Sequence, residues 1–190
     1  MFPRILSFGI CALALARATQ TTTLKSGTYT IRNAGTGDQL VCLHADNPIA
    51  LSSIPVVPPT AGQWVVYLLA GSASVYSMYN RNSTGFAVPE VESPFSPLLI
   101  LTGYKIQDDS MVALLGMAGM VPGHFSIDAV GHHTSRGDHP AKFVITNVPW
   151  GPNRDNRTWA APIPGTSQKH LLRLEQANGG ALQQWEFTSV

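Results

Sequence analysis

Cysteine and charged residues are scarce in this chain of 190 residues. It contains two cysteines, and its 12 basic and 11 acidic residues give a net charge of +1. So balanced a charge gives no electrostatic reason to expect nucleic acid or an anionic membrane as a partner. Metal, phosphate-loop, nucleophile-elbow and Cys-x-x-Cys motifs are missing, so we expect neither an enzyme nor a cofactor.

The first 18 residues have the pattern of a signal peptide. Arg4 precedes the apolar run Ile5–Leu15, and Ala16–Ala18 places small residues at a cleavage site. The apolar run is too short to span a bilayer, and no later run is long enough. Cleavage would leave Cys42 without a disulfide partner, so we expect it to be buried. We therefore expect a secreted, extracellular protein with a single domain over residues 24–190.

A short motif with a large aromatic residue recurs three times, at intervals of about 60 residues. It is complete at Gln183–Phe187 and weaker at Gly62–Val66 and Gly123–Ile127. In each copy the aromatic residue alternates with an apolar residue two positions later, as in a strand with one buried face.

A second motif precedes each copy of the first and reads aromatic, any, aliphatic, any, Asn. It occurs at Tyr29–Asn33, Tyr76–Asn80 and Phe143–Asn147. Two motifs in the same order, three times each, predict a threefold repeat with blocks of about 24–67, 68–128 and 129–190. The bulky residues are expected to fill a barrel interior: Tyr29, Trp64, Tyr76, Phe125, Phe143 and Trp185.

Between the two motifs, each block holds two further strand-like runs, and none shows a sustained helical period. The first set comprises Leu40–Cys42, Phe86–Pro89 and Trp159–Pro162, and the second Ile54–Val57, Leu98–Leu101 and Leu171–Leu174. Four strands in each of three blocks predict an all-β protein. An ordinary β-sandwich with repeated strand vocabulary is the alternative.

Three pseudo-repeats, each closed by such a motif, resemble a β-trefoil. Over most of its length the chain is similar to the fungal trefoil inhibitors of the mushroom serine protease inhibitor type. Ser26–Asn33, the proline-rich Ile54–Pro59, the strand at Trp159 and the terminal Trp185–Phe187 carry this similarity. The resemblance implies a monomeric peptidase inhibitor that inserts an exposed loop into an extracellular protease.

Three loops are candidates for that contact. The resembling inhibitors use the loop between the second and third strands, which here contains Asp46, Asn47 and Pro48. A proline in such a loop reduces the ordering needed on binding. Arg136 and Arg154 could each offer a basic side chain to a trypsin-like pocket.

The alternative is a ricin-B-like lectin, whose partner would be a glycan. Members of that family share a Gln-x-Trp motif, which is intact here at Gln183–Trp185. Their sugar sites combine an aspartate on the second strand with an aromatic platform. Here that strand reads Cys42-Leu43-His44, Val88-Pro89-Glu90 or Ala161-Pro162-Ile163, and the candidate platforms are Tyr104, Trp150 and Trp159.

Two other features have a bearing on surface chemistry. Asn82 and Asn156 begin glycosylation sequons, which we expect to be used in a secreted protein. His132, His133, Asp138 and His139 form a cluster with no regular spacing, so we expect a polar loop and no metal site.

Overall fold

A computed structural model describes residues 23–43, 49–88, 111–112, 114–115, 123–131, 141–148, 157–164 and 171–190. Its regular structure consists of β-strands and two short 3-10 helices, Pro59–Gly62 and Ala181–Gln183. No α-helix occurs in these ranges, and none of their helices could cross a bilayer.

The strands follow the order that the motifs predict. The first repeat contains β1–β4, the second β5–β9 and the third β10–β13. Their bounds are β1 Gly27–Asn33, β2 Gln39–Val41, β3 Ala50–Ser52, β4 Gln63–Leu68, β5 Val75–Asn80, β6 Ala87–Val88, β7 Met111–Val112, β8 Leu114–Leu115, β9 Phe125–Ala129, β10 Lys142–Asn147, β11 Thr158–Ala160, β12 Arg173–Glu175 and β13 Trp185–Ser189.

Six strands close into an antiparallel barrel. β1 pairs with β4, β4 with β5, β5 with β9, β9 with β10, β10 with β13, and β13 returns to β1. Each repeat contributes its first and last strand to this ring. Closure leaves the barrel without an unpaired edge.

The remaining strands form hairpins at one end of the barrel. β2 pairs with β3, β6 with β8 and β11 with β12. The hairpins touch one another, because Ala50 forms a bridge with Leu171 and β7 pairs with β12.

One of the predicted strands is misplaced, and another cannot be compared with the structure. The third strand of the first repeat is Ala50–Ser52, and Ile54–Val57 is irregular chain. Pro55, Pro58 and Pro59 have no N–H group to donate to a ladder, which explains why pairing ends before them. In the second repeat, β8 lies at Leu114–Leu115, whereas the predicted strand Leu98–Leu101 lies outside the described residues.

The barrel interior holds the aromatic residues of both motifs. Trp64, Tyr76, Phe125 and Trp185 are fully buried, and Phe143 is nearly so. The Trp64 and Trp185 indoles each donate a 3.1 Å hydrogen bond to the carbonyl oxygen at the middle of their own second strand. The Phe125 ring has no N–H group to donate. In the second repeat the backbone N–H of Gly123 donates instead to the equivalent carbonyl, that of Ala87, at 3.1 Å.

Tyr29 is half-buried and packs against the core beside the segment that precedes β1. The Tyr29 hydroxyl donates to the Lys25 carbonyl and the Tyr76 hydroxyl to the Leu24 carbonyl, both at 2.7 Å. Leu24 is itself buried against the core. Burial raises the pKa of both phenols above the ordinary tyrosine value.

Asparagines at the ends of β1 and β5 tie neighbouring repeats together. Asn33 donates through Nδ2 to the Leu182 carbonyl at 2.8 Å, and Asn80 does the same to the Ala61 carbonyl at 3.0 Å. The oxygen of each amide accepts backbone N–H groups from the turn that follows. The asparagine thus fixes both the turn and the contact between repeats.

We expect Asn80→Ala to destabilise the protein by about 2–4 kcal/mol, because it removes the hydrogen bond to the Ala61 carbonyl and leaves the buried N–H of Ser83 without its partner. Urea denaturation measures this change. Asn178→Ala is the control, since the exposed Asn178 accepts a single backbone N–H. Its cost should stay below about 1 kcal/mol. Equal losses in the two variants would contradict the role given to Asn80.

Candidate ligand-binding cleft

Most of the sequence-predicted site residues lie outside the described part of the chain. These are the three inhibitory loops with Asp46, Asn47, Pro48, Arg136 and Arg154, the sequon at Asn156, the histidine cluster, Tyr104 and Trp150. Their assignments stay predictions. Within the described ranges, no group of three His, Cys, Asp or Glu side chains is placed to hold a metal ion.

The positions of a lectin-type aspartate carry apolar residues in the two repeats where they are described. In the first repeat Cys42 is buried and Leu43 exposed, and in the third Ala161 is buried and Ile163 exposed. Trp159 is fully buried and packs against Phe125 with ring centroids 5.1 Å apart. It fills the core and cannot serve as a platform for a sugar.

Asn82 lies in the turn that follows β5. Its Nδ2 donates to the Leu43 carbonyl at 2.8 Å, and Thr84, the third residue of its sequon, has a positive φ of 55°. The amide is therefore held against the first repeat in the folded chain. Glycosylation of Asn82 stays a prediction.

An open cleft of about 290 Å³ lies on the outer face of the barrel in the first repeat. One side is apolar and the other is polar. The lining residues are Thr30 and Arg32 of β1, Gln39 of β2, Gln63 of β4, and Pro55, Val56 and Pro59 of the segment between β3 and β4.

The apolar side is formed by the proline-rich segment that follows β3. The Ser52 hydroxyl donates to the Ile54 carbonyl at 2.9 Å, and the Ala61 N–H donates to the Pro58 carbonyl at 3.0 Å. The prolines restrict φ between these two anchors. Val56 is half-buried beside the cleft, whereas the side chains of Ile54 and Val57 point to solvent and are 70% and 84% exposed.

On the polar side, two glutamines are held in defined orientations. Gln39 donates through Nε2 to the Gly62 carbonyl at 3.2 Å. Gln63 accepts through Oε1 from the Arg81 guanidinium at 2.8 Å. Because a carbonyl only accepts and a guanidinium only donates, these partners fix which end of each amide is engaged. The oxygen of Gln39 and the nitrogen of Gln63 are the ends left for a ligand.

Gly62 makes room for the Gln39 amide. A Cβ at position 62 would collide with Nε2 of Gln39. In the third repeat the equivalent residue is Gln183, whose buried side chain donates to the Gln176 carbonyl and accepts from the Asn178 N–H, both at 2.8 Å. In the first repeat, the amide of Gln39 thus lies where a side chain at position 62 would otherwise be.

Arg32 and Gln39 are opposite each other on β1 and β2, and the pair at this position differs in every repeat. In the second repeat it is Tyr79 and Phe86, whose rings pack edge to face at 5.4 Å. In the third it is Thr146 and Thr158, whose hydroxyl oxygens are 3.4 Å apart. Packed rings or paired hydroxyls close this position, whereas the arginine and glutamine leave it open.

No protein-family model matches the chain, and no curated protein matches it. Solved structures do. The Rhizoctonia solani agglutinin aligns with a TM-score of 0.59 at 14% identity, over 89% of this chain and 99% of its own. The Macrolepiota procera ricin B-like lectin in complex with lactose aligns with a TM-score of 0.53 at 17% identity, over 90% and 100%. The designed threefold-symmetric ThreeFoil aligns with a TM-score of 0.56 at 14% identity, over 86% and 99%.

The chain is a β-trefoil. The predicted fold is confirmed, and the likeness to solved structures establishes that fold without assigning the chain to the inhibitor family or to the lectins. The trefoil cleft itself was missed by sequence reasoning. Its signals were the outward polar residues that alternate with the barrel core at Thr30, Arg32 and Gln63, next to a run of prolines.

We expect Gly62→Ala to displace the Gln39 amide and to cost about 0.5–1.5 kcal/mol through the lost hydrogen bond. A double-mutant cycle with Gln39→Ala, followed by chemical denaturation, isolates this contact. In the Gln39→Ala background the added methyl group has space, so its cost should nearly vanish. The same cost in both backgrounds would show that Gly62 is needed for another reason.

Proposed function

We propose that this chain is a secreted carbohydrate-binding protein and that the cleft of the first repeat is its binding site. The observation that carries the proposal is the cleft itself, where amide, hydroxyl and guanidinium groups face a rigid apolar wall. Sugars present hydroxyl groups at the ring edge and C–H groups on the ring faces, so they need both kinds of surface. A cleft open to solvent on a rigid barrel also suits a ligand that is the end of a longer glycan.

The similar trefoil structures support the proposal of carbohydrate binding. Two of the three described above are an agglutinin and a lectin solved with lactose. The lectin-type aspartate positions of this chain carry apolar residues where they are described, so the proposed site lies elsewhere on the fold. It lies between β1, β2, β4 and the proline-rich segment.

A glycan array followed by calorimetry tests the proposal. We expect the purified protein to bind a subset of glycans, and Gln63→Ala to weaken that binding about five- to tenfold, as expected for one lost hydrogen bond in a site. Gln184→Ala is the matched control, because Gln184 occupies the equivalent place before Trp185 and bonds to Gly179. It should leave binding unchanged.

A second variant fills the cleft without disturbing the barrel. Arg32→Tyr combined with Gln39→Phe copies the aromatic pair of the second repeat and should abolish binding. Binding that survives this replacement would place the sugar elsewhere on the protein. An array without any bound glycan would end the carbohydrate proposal.

The alternative function, inhibition of a peptidase, is favoured by one observation in the described chain. Ile54 and Val57 are highly exposed, and each directly precedes a proline. A braced loop with exposed aliphatic side chains can enter a protease cleft at little ordering cost. This loop follows β3 and differs from the three predicted loops.

Residual activity of trypsin, chymotrypsin, subtilisin and papain tests this alternative. If the loop inhibits one of them, Val57→Asp should raise the inhibition constant at least about tenfold, because it places a charge in an apolar pocket. Val130→Asp alters another exposed valine and should have no effect. Full activity of every enzyme at high inhibitor concentration would remove this loop from consideration for these proteases.

A further inference from the structure

We infer that the cleft of the first repeat selects an acidic saccharide, one whose ring carries a carboxylate or a sulfate group. This inference rests on the proposed carbohydrate-binding function and specifies its ligand. It follows from the balance of hydrogen-bond donors and acceptors that the cleft presents.

Donors outnumber acceptors among the polar groups of the cleft. Because Arg81 engages Oε1 of Gln63, the amide nitrogen of Gln63 is the end available to a ligand. Arg32 uses Nη1 for a 3.1 Å bond to the Gly37 carbonyl, which leaves further N–H groups of its guanidinium. The Thr30 hydroxyl donates to the Thr188 carbonyl at 3.5 Å, so its oxygen is left to accept. The clearest acceptor is the amide oxygen of Gln39, whose nitrogen faces Gly62.

The charged residues at the cleft are positive, which also favours an anionic ligand. Arg32 lines it, Arg81 borders it through Gln63, and no carboxylate is among the lining residues. A neutral sugar hydroxyl both donates and accepts, so it would leave several of these donors unmatched. A carboxylate accepts through two oxygens and matches the planar guanidinium in a bidentate arrangement.

One carboxylate close to Arg32 is that of Glu186. It lies across from Arg32 on β13, and across from Lys142 on β10. Glu186 does not line the cleft, and Arg32 forms no ion pair with it among the described residues. Its charge nevertheless acts at Arg32 through solvent and lowers the attraction for an anion. Removing it should therefore strengthen binding of an acidic ligand.

The test compares galacturonate trisaccharide, its neutral methyl ester and galactose 6-sulfate by calorimetry at low salt. We expect the acid to bind about tenfold more tightly than its ester, as expected for a charge-assisted contact. The preference should shrink at high salt, because Arg32 is exposed. Comparison of the acid with the sulfate shows which anion the cleft prefers.

Three variants assign the preference to residues. Arg32→Gln should remove the preference for the acid over the ester. Glu186→Gln should strengthen the binding of the acid about two- to threefold and leave the binding of the ester unchanged. Lys142→Gln is the matched control, since it changes the net charge by the same amount as Arg32→Gln on a strand that does not line the cleft, and it should leave the preference intact.

The outcomes separate this inference from the proposed function. Equal binding of the acid and its ester would overturn the acidic selectivity while leaving carbohydrate binding in place. Equal loss of the preference in Arg32→Gln and Lys142→Gln would also overturn it, because overall charge would then be the cause. If neither these ligands nor any glycan on an array binds, the inference and the proposed function fall together.

Discussion

The barrel depends on a hydrogen bond that crosses from each repeat to the one before it. In all three cases, the residue after the strand-ending asparagine donates its N–H to the carbonyl that precedes the closing aromatic residue. Ala34 bonds to Gln184, Arg81 to Gln63 and Val148 to His124, at 2.8–3.0 Å. These bonds join the third repeat to the first as well as consecutive repeats, so the ring is closed by the same contact at every junction. The aromatic residues of the two motifs are packed inside the ring that these junctions close, and their burial supplies the main driving force for folding.

Because backbone groups form these junctions, the outer face of the barrel is free to differ between repeats. The pair formed by Arg32 and Gln39 has aromatic and threonine equivalents in the other two repeats, and each pair occupies the same register. A substitution there changes the surface while the ladder beneath it is kept. The fold therefore tolerates a different surface at this position in each repeat.

The sequence predicted the fold well because the core obeys a strict period. On β5 the side chains of Tyr76 and Met78, two residues apart, both point into the core, and their counterparts on the other barrel strands do the same. This alternation recurs along the sequence, so it can be recognised from one sequence alone. The strand at Ile54–Val57 was predicted wrongly. The prediction relied on its apolar composition, although the prolines within and after it have no N–H group to donate to a neighbouring strand. The sequence shows the outward polar residues of the cleft but not that they meet, since Gln39 and Gln63 are brought together only by the pairing of β1 with β2 and β4. No local pattern encodes that proximity.

The glutamine of the Gln-x-Trp motif shows why such a motif identifies a scaffold more readily than an activity. Gln183 is buried, and both ends of its amide bond to the backbone of the chain that approaches the final strand. It has no end left for a ligand. Where the first repeat has Gly62 instead, the Gln39 amide occupies the vacated volume and belongs to a cleft. In the first repeat, glycine in place of the motif's glutamine removes a structural clamp and makes space for the polar side chain of Gln39.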